Sequence, residues 1–187
     1  MSKKGGSFER QIAKDLSLWF SDGHEDDLFW RSDASGARAK TRSKKGKRTH
    51  GQHGDICSTH PDSEILTRFF VIELKRGYQK WSMLDLVDKK PHAARQVLEK
   101  FVEQVKSDQK NSAVPFWSII ARRDQRDPVI IFDSEFVDVF NMLDRLSYIR
   151  IKTPELSAYL FNLGEFFRII KSSEIVEFLS EIQITKI

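Results

Sequence analysis

A single cysteine, Cys57, in a chain of 187 residues excludes an intramolecular disulfide and any zinc site built on several thiolates. Long apolar runs are missing too, and none approaches the ~20 residues that a membrane-spanning helix requires. The first residues, with Lys3, Lys4 and two glycines, lead into an amphipathic segment and hold no apolar stretch of signal-peptide type. These absences set the expectation of an intracellular, cytoplasmic protein with no membrane partner. Acidic residues are absent between Asp33 and Asp55, a gap that holds Arg38, Lys40, Arg42, Lys44, Lys45, Lys47 and Arg48.

An apolar content of 40% against 31% charged residues describes a folded chain rather than a disordered one. Its length suits one domain with a sizeable core. The net charge is only +4, yet it is unevenly spread. From Asp133 onward nine acids face six lysines and arginines, so the positive charge is concentrated in the N-terminal half. Such asymmetry points to a polyanion met by that half. The basic stretch 37–51 has no apolar periodicity and reads as a loop that orders on a phosphate backbone. At its end, His50 and His53 have transition-metal spacing, but no further nitrogen or sulfur ligand lies near them, and they read as loop residues.

Ser7 is placed to cap a helix from Phe8 to Phe20, with Phe8, Ile12, Leu16, Trp19 and Phe20 forming its apolar stripe. Glu9 falls inside that stripe, where an unpaired carboxylate is costly. It is either a first-turn acid favoured by the helix dipole or an acidic contributor to a site. Short strands are expected over 28–32 and 54–59, and a third over 67–75 that forms a hairpin with the second. An amphipathic helix over 93–107 follows, carrying Val97, Leu98, Phe101, Val102 and Val105, and then strands over 116–121 and 129–132. A helix between the third and fourth strands implies a parallel pair inside a mixed sheet. Past Asp133 the pattern suggests a helix from Ser134 to Leu146, a strand near 148–151, and helices near 155–163 and 173–182. The expected organisation is a core over 1–133 with a mainly helical extension over 134–187 packed on the same domain.

The chemistry concentrates on one strand. Phe69-Phe70-Val71-Ile72 runs directly into Glu73-Leu74-Lys75. Side chains alternate along a strand, so Glu73 and Lys75 leave one face about 6–7 Å apart while Ile72 and Leu74 leave the other. Phe69 and Val71 share the face of the two charges, so that face is apolar until it reaches them. Burying both groups without a metal or partner would cost several kcal/mol, on the order measured for unpaired buried charges. With Asp55 on a neighbouring strand, two hard oxygen ligands and an ammonium converge, as metal-assisted phosphodiester hydrolysis needs. The competing reading makes Glu73 and Lys75 an ordinary solvent face and Asp55 a turn residue. Gln104, at the edge of the later helix's apolar face, reads as a rim glutamine, with assistance to the site as the alternative.

Gly54-Asp55, seventeen intervening residues, Glu73-Leu74-Lys75 and a helical Glu9 together resemble the PD-(D/E)XK nuclease superfamily, whose core order of one helix, three strands, one helix and two strands also matches. The proline that the superfamily places before its first acid is Gly54 here. The layout is most similar to archaeal-type Holliday-junction resolvases, through Gly5 and Glu9 on the first helix and Ser32 or Ser35 after the first strand. The resemblance covers residues 5 to 132. It implies a restriction-endonuclease-like α/β fold, a Mg²⁺ cofactor that Mn²⁺ can replace, and DNA as partner and substrate. Asp55, Glu73 and the Leu74 carbonyl would hold the metal, Glu9 would hold a second metal or its water shell, and Lys75 would orient water or neutralise the transition state. DNA would meet Arg31, Ser32 and the seven basic residues from Arg38 to Arg48, and symmetric cutting of two strands would favour a homodimer. Two other functions fit the same residues: a nuclease-like protein that binds nucleic acid without cutting, using Arg31, Arg76 and Lys80 besides the loop, and an interaction protein using Phe161, Phe166 and Phe167.

Overall fold

The computed structural model describes residues 3–32, 54–77, 84–86, 88 and 96–185. Helix α1 (Lys3–Phe20) comes first. Its apolar stripe is the expected one: Phe8, Ile12 and Leu16 are buried, and Trp19 and Phe20 are partly so. Ser7 is not its cap, because the helix begins four residues earlier. Strands β1 (Phe29–Arg31) and β2 (Ile56–Ser58) form a small antiparallel pair, with Arg31 opposite Ile56.

Helix α2 (Glu64–Phe69) precedes strand β3 (Phe70–Arg76). The expected hairpin between the second and third strands is therefore replaced by a helical connection. Pro61 opens a 3₁₀ turn, Glu64 and Arg68 pair at 2.8 Å one turn apart, and Leu66 and Phe69 are buried at helical spacing. These local bonds draw Thr67 and Phe69 out of the strand. Helix α3 (Val97–Ser112) crosses to β4 (Phe116–Arg122), which runs parallel to β3. Strand β5 (Val129–Asp133) pairs antiparallel with β4.

Helix α4 (Ser134–Phe140) is shorter than the sequence suggests. Asp133 caps it by accepting the Glu135 N–H, and Asn141, with φ of +54°, ends it in the left-handed conformation. Strand β6 (Tyr148–Lys152) is followed by β7 (Ser157–Asn162), where a helix was expected. Strand β7 lies between β5 and β6 in a five-stranded sheet of order β3-β4-β5-β7-β6. Its residues Ala158 to Phe161 are all buried, and a strand covered on both faces has the unbroken apolar run of a buried helix. Helices α5 (Leu163–Ile169) and α6 (Ser172–Thr185) complete the described chain. No helix among the described residues is long and apolar enough to cross a membrane.

The sheet divides the core in two. On one face, Leu98, Phe101, Val102 and Val105 of α3 pack with Val71, Trp117, Ile119 and Ile131. On the other, α1, α4, α5 and α6 enclose an aromatic-rich cluster around Phe70, Phe132, Phe136, Phe161 and Phe166. Phe161 and Phe166 are core residues, and Phe167 packs against them partly buried, which removes the main support for an aromatic interaction surface.

One buried hydroxyl joins α1 to β1. Ser17 Oγ donates to the Ala13 carbonyl at 2.8 Å and accepts the Phe29 N–H at 2.9 Å, and both Ser17 and Phe29 are fully buried. Ser17→Ala leaves that N–H without its acceptor, and the expected loss is about 1–3 kcal/mol of unfolding free energy. Urea denaturation measures it; an unchanged midpoint would show that Phe29 had found another acceptor.

Candidate active site

Gly54 brings the site together. Its φ is +83°, and a Cβ there would stand 2.6 Å from the Ile72 carbonyl oxygen and 3.1 Å from the Ile72 nitrogen. Glycine alone tolerates both the positive φ and this approach to β3. A proline requires φ near −65°, so the superfamily's residue does not fit this backbone. The departure from the motif is the condition for bringing the next residue against the strand.

That residue, Asp55, grips the edge of β3 twice. Its N–H donates to the Ile72 carbonyl at 2.8 Å, and its Oδ2 accepts the Leu74 N–H at 2.8 Å. A residue's N–H and carbonyl leave a strand on the same side, so the Leu74 carbonyl also faces this edge. The Ser32 N–H donates to the Asp55 carbonyl at 2.8 Å, which joins β1 to the same grip.

Glu73 and Lys75 leave the α3 side of β3. Their side chains are only 5% and 10% exposed, and Lys75 Nζ donates to Glu73 Oε1 at 2.6 Å. The solvent-face reading is thereby excluded. Gln104 reaches the pair from α3: its Oε1 accepts from Lys75 Nζ at 3.0 Å, and its Nε2 donates to Glu73 Oε1. The Phe101 ring centroid lies 5.4 Å from Nζ, a cation–π distance. Gln104 is thus half-buried at the rim of the α3 apolar face, as expected, and from there it bonds both Glu73 and Lys75.

Burial pushes the Asp55 carboxyl up to about 7, with the negative charge of Glu73 as the next cause; the Leu74 N–H bond and Lys75 pull it down, and Glu9 adds a small upward push. Two carboxylates are thus held where they resist being ionised together. A divalent cation removes that conflict, and the donors suit a hard one: carboxylate oxygens and a backbone carbonyl. Among the described residues no cluster of three or more His, Cys, Asp or Glu side chains could hold a metal. Two carboxylates are nevertheless a fitting set for Mg²⁺, which keeps several waters and takes the remainder of its shell from substrate phosphate.

Glu9 stands beside this pair rather than within it. Its Oε2 is 3.7 Å from Arg31 Nη1, although its charge reaches Asp55. Arg31, expected to contact nucleic acid, is partly buried in this ion pair, and Ser32 is buried. Ser35, Arg38, Lys40, Arg42, Lys44, Lys45, Lys47, Arg48 and Lys80 lie outside the described residues. A family model described as "Phage putative PDDEXK endonuclease" matches residues 1–177. No curated protein and no solved structure matches the chain.

The raised Asp55 value has a consequence for stability. The metal-free folded chain keeps this proton at pH values where the unfolded chain, near 3.8, has released it. The resulting stabilisation is complete below about pH 4 and fades as pH climbs toward 7. Urea midpoints of wild type and Asp55→Asn, taken in EDTA across that range, should therefore diverge, with wild type losing ground as pH rises. Parallel curves would place the Asp55 carboxyl in an ordinary, solvated environment.

Proposed function

The chain belongs to the phage PDDEXK endonuclease family, and from that membership and the geometry above we propose that it hydrolyses DNA phosphodiester bonds with Mg²⁺ held by Asp55 and Glu73. The observation that carries this reading is the Asp55 grip on Leu74, which sets one carboxylate beside another at a strand edge. The Leu74 carbonyl supplies a third oxygen. When bound, the cation provides Lewis acidity, making water more acidic and neutralising charge that grows on the phosphoryl oxygens. Lys75, on the same face as Glu73, orients the attacking water or meets the developing phosphoryl charge. Its compact ammonium suits this place better than the wide guanidinium fork of arginine. Glu9, held by Arg31, orders water at the rim of the site or takes part in a second cation site.

The basic stretch 37–51 would follow the DNA backbone as a point-charge track. Specificity for a branched substrate such as a four-way junction, cutting by a two-fold homodimer, and work in the cytoplasm complete the proposal. The branched substrate draws on the resolvase-like layout of Gly5, Glu9 and Ser32 or Ser35, the homodimer on symmetric cutting of two strands, and the cytoplasm on the single cysteine. Against the non-cleaving alternative stands the sequence itself, because a degenerate site would be expected to lose Asp55 or Lys75 and both are present.

Asp55→Asn and Glu73→Gln keep the shape of the site and remove its charge. Each should lower Mg²⁺-dependent cleavage of labelled duplex and junction DNA by at least about 100-fold, as expected for losing electrostatic stabilisation of a phosphoryl transition state. DNA affinity, measured in Ca²⁺, should stay close to wild type. Turnover retained in both variants would remove these residues from the reaction. Neutralising Lys44, Lys45, Lys47 and Arg48 together should weaken binding and flatten its dependence on log salt by about one unit for each phosphate no longer neutralised. An unchanged slope would show that the stretch does not touch the backbone.

A further inference from the structure

Resting on the nuclease reading, we infer that Gln104 is a positioning residue that fixes both Glu73 and Lys75 for the reaction. The three side chains form a closed triangle. Lys75 Nζ donates to Glu73 Oε1 and to Gln104 Oε1, and Gln104 Nε2 donates to the same Glu73 oxygen. The neighbours determine the orientation of the amide, because a carboxylate only accepts and an ammonium only donates. A primary amide serves both at once. A glutamate at 104 would add a third negative charge beside two carboxylates already in conflict, and a lysine or arginine would oppose Lys75. Methionine has the length and neither bond.

Phe101 completes the arrangement. It lies three residues before Gln104 on α3, so both side chains face the strand from one side of the helix. The ring lies beneath Nζ while the amide and Glu73 take two of the three ammonium donors. The third N–H is thereby directed to an incoming phosphate oxygen or to water. Without the amide, Nζ would lose one of its two acceptors and Glu73 Oε1 one of its two donors, and both side chains would be free to leave the positions that the cation and the substrate require. Side chains that hold a ligating group from behind typically affect metal affinity or activity by about 10–100-fold.

The experiment compares the wild-type chain with Gln104→Met and Gln109→Met. Gln109 is on the same helix and donates to the Pro115 carbonyl at 2.6 Å, so its variant loses a comparable hydrogen bond away from the site. Steady-state cleavage in Mg²⁺ and calorimetric titration with Ca²⁺ are the two readouts. Gln104→Met should lower kcat by about 10–100-fold with KM within about twofold, and should weaken Ca²⁺ binding by about tenfold, while Gln109→Met changes neither. If Gln104→Met does not fold, Gln104→Asn, which keeps the amide one methylene short, should show the same fall. A folded Gln104 variant with wild-type kcat and Ca²⁺ affinity overturns the inference, as does an equal loss in Gln109→Met. A wild-type chain that neither cuts DNA nor takes up Ca²⁺ overturns the nuclease reading and this inference together; an active wild type with an unaffected variant overturns this inference alone.

Discussion

The clasp of Asp55 on the edge of β3 is the interaction on which the candidate site depends. Two hydrogen bonds, one from its backbone to Ile72 and one from Leu74 to its carboxylate, fix a short two-stranded unit against a sheet with which, among the described residues, it forms no regular ladder. Gly54 makes the approach possible because any side chain there would strike the Ile72 carbonyl. The same clasp places the Asp55 carboxylate at the strand that carries Glu73. Fold and candidate site therefore meet in one residue, whose N–H donates to the β3 edge and whose carboxylate accepts from it.

Around that point the protein keeps three carboxylates and two cationic side chains close together: Asp55, Glu73 and Glu9, with Lys75 and Arg31 as partners. Burying such groups carries a penalty that the two cations only partly offset. A core devoted to stability alone would hold apolar side chains there, as β3 does at Val71 and Ile72. Under the proposed function, a divalent cation held between the carboxylates relieves their repulsion. Sites of this kind give up local stability for chemistry.

Much of the site was legible because strand alternation is a strict rule. Glu73 and Lys75 had to share a face with Val71, and a carboxylate following an apolar face is a strong signal even in one sequence. The parallel pairing of β3 with β4 followed from the α3 crossover. The readings that failed did so where local bonding or burial on both faces competes with pattern. Thr67 and Phe69 have strand character, but Pro61 and the Glu64–Arg68 pair secure a helix. Residues 158–161 have no alternation because β7 is covered on both sides. Gln104 is a rim residue in the structure too, and only tertiary structure shows that it closes a triangle with two charges 29 and 31 residues away.

The most direct test of whether Asp55 and Glu73 share one cation is anomalous diffraction from crystals of the protein soaked in Mn²⁺. The proposed function predicts a strong anomalous peak bonded to carboxylate oxygens of both residues at the β3 edge. No peak there, or a peak on one of the two carboxylates alone, would contradict it.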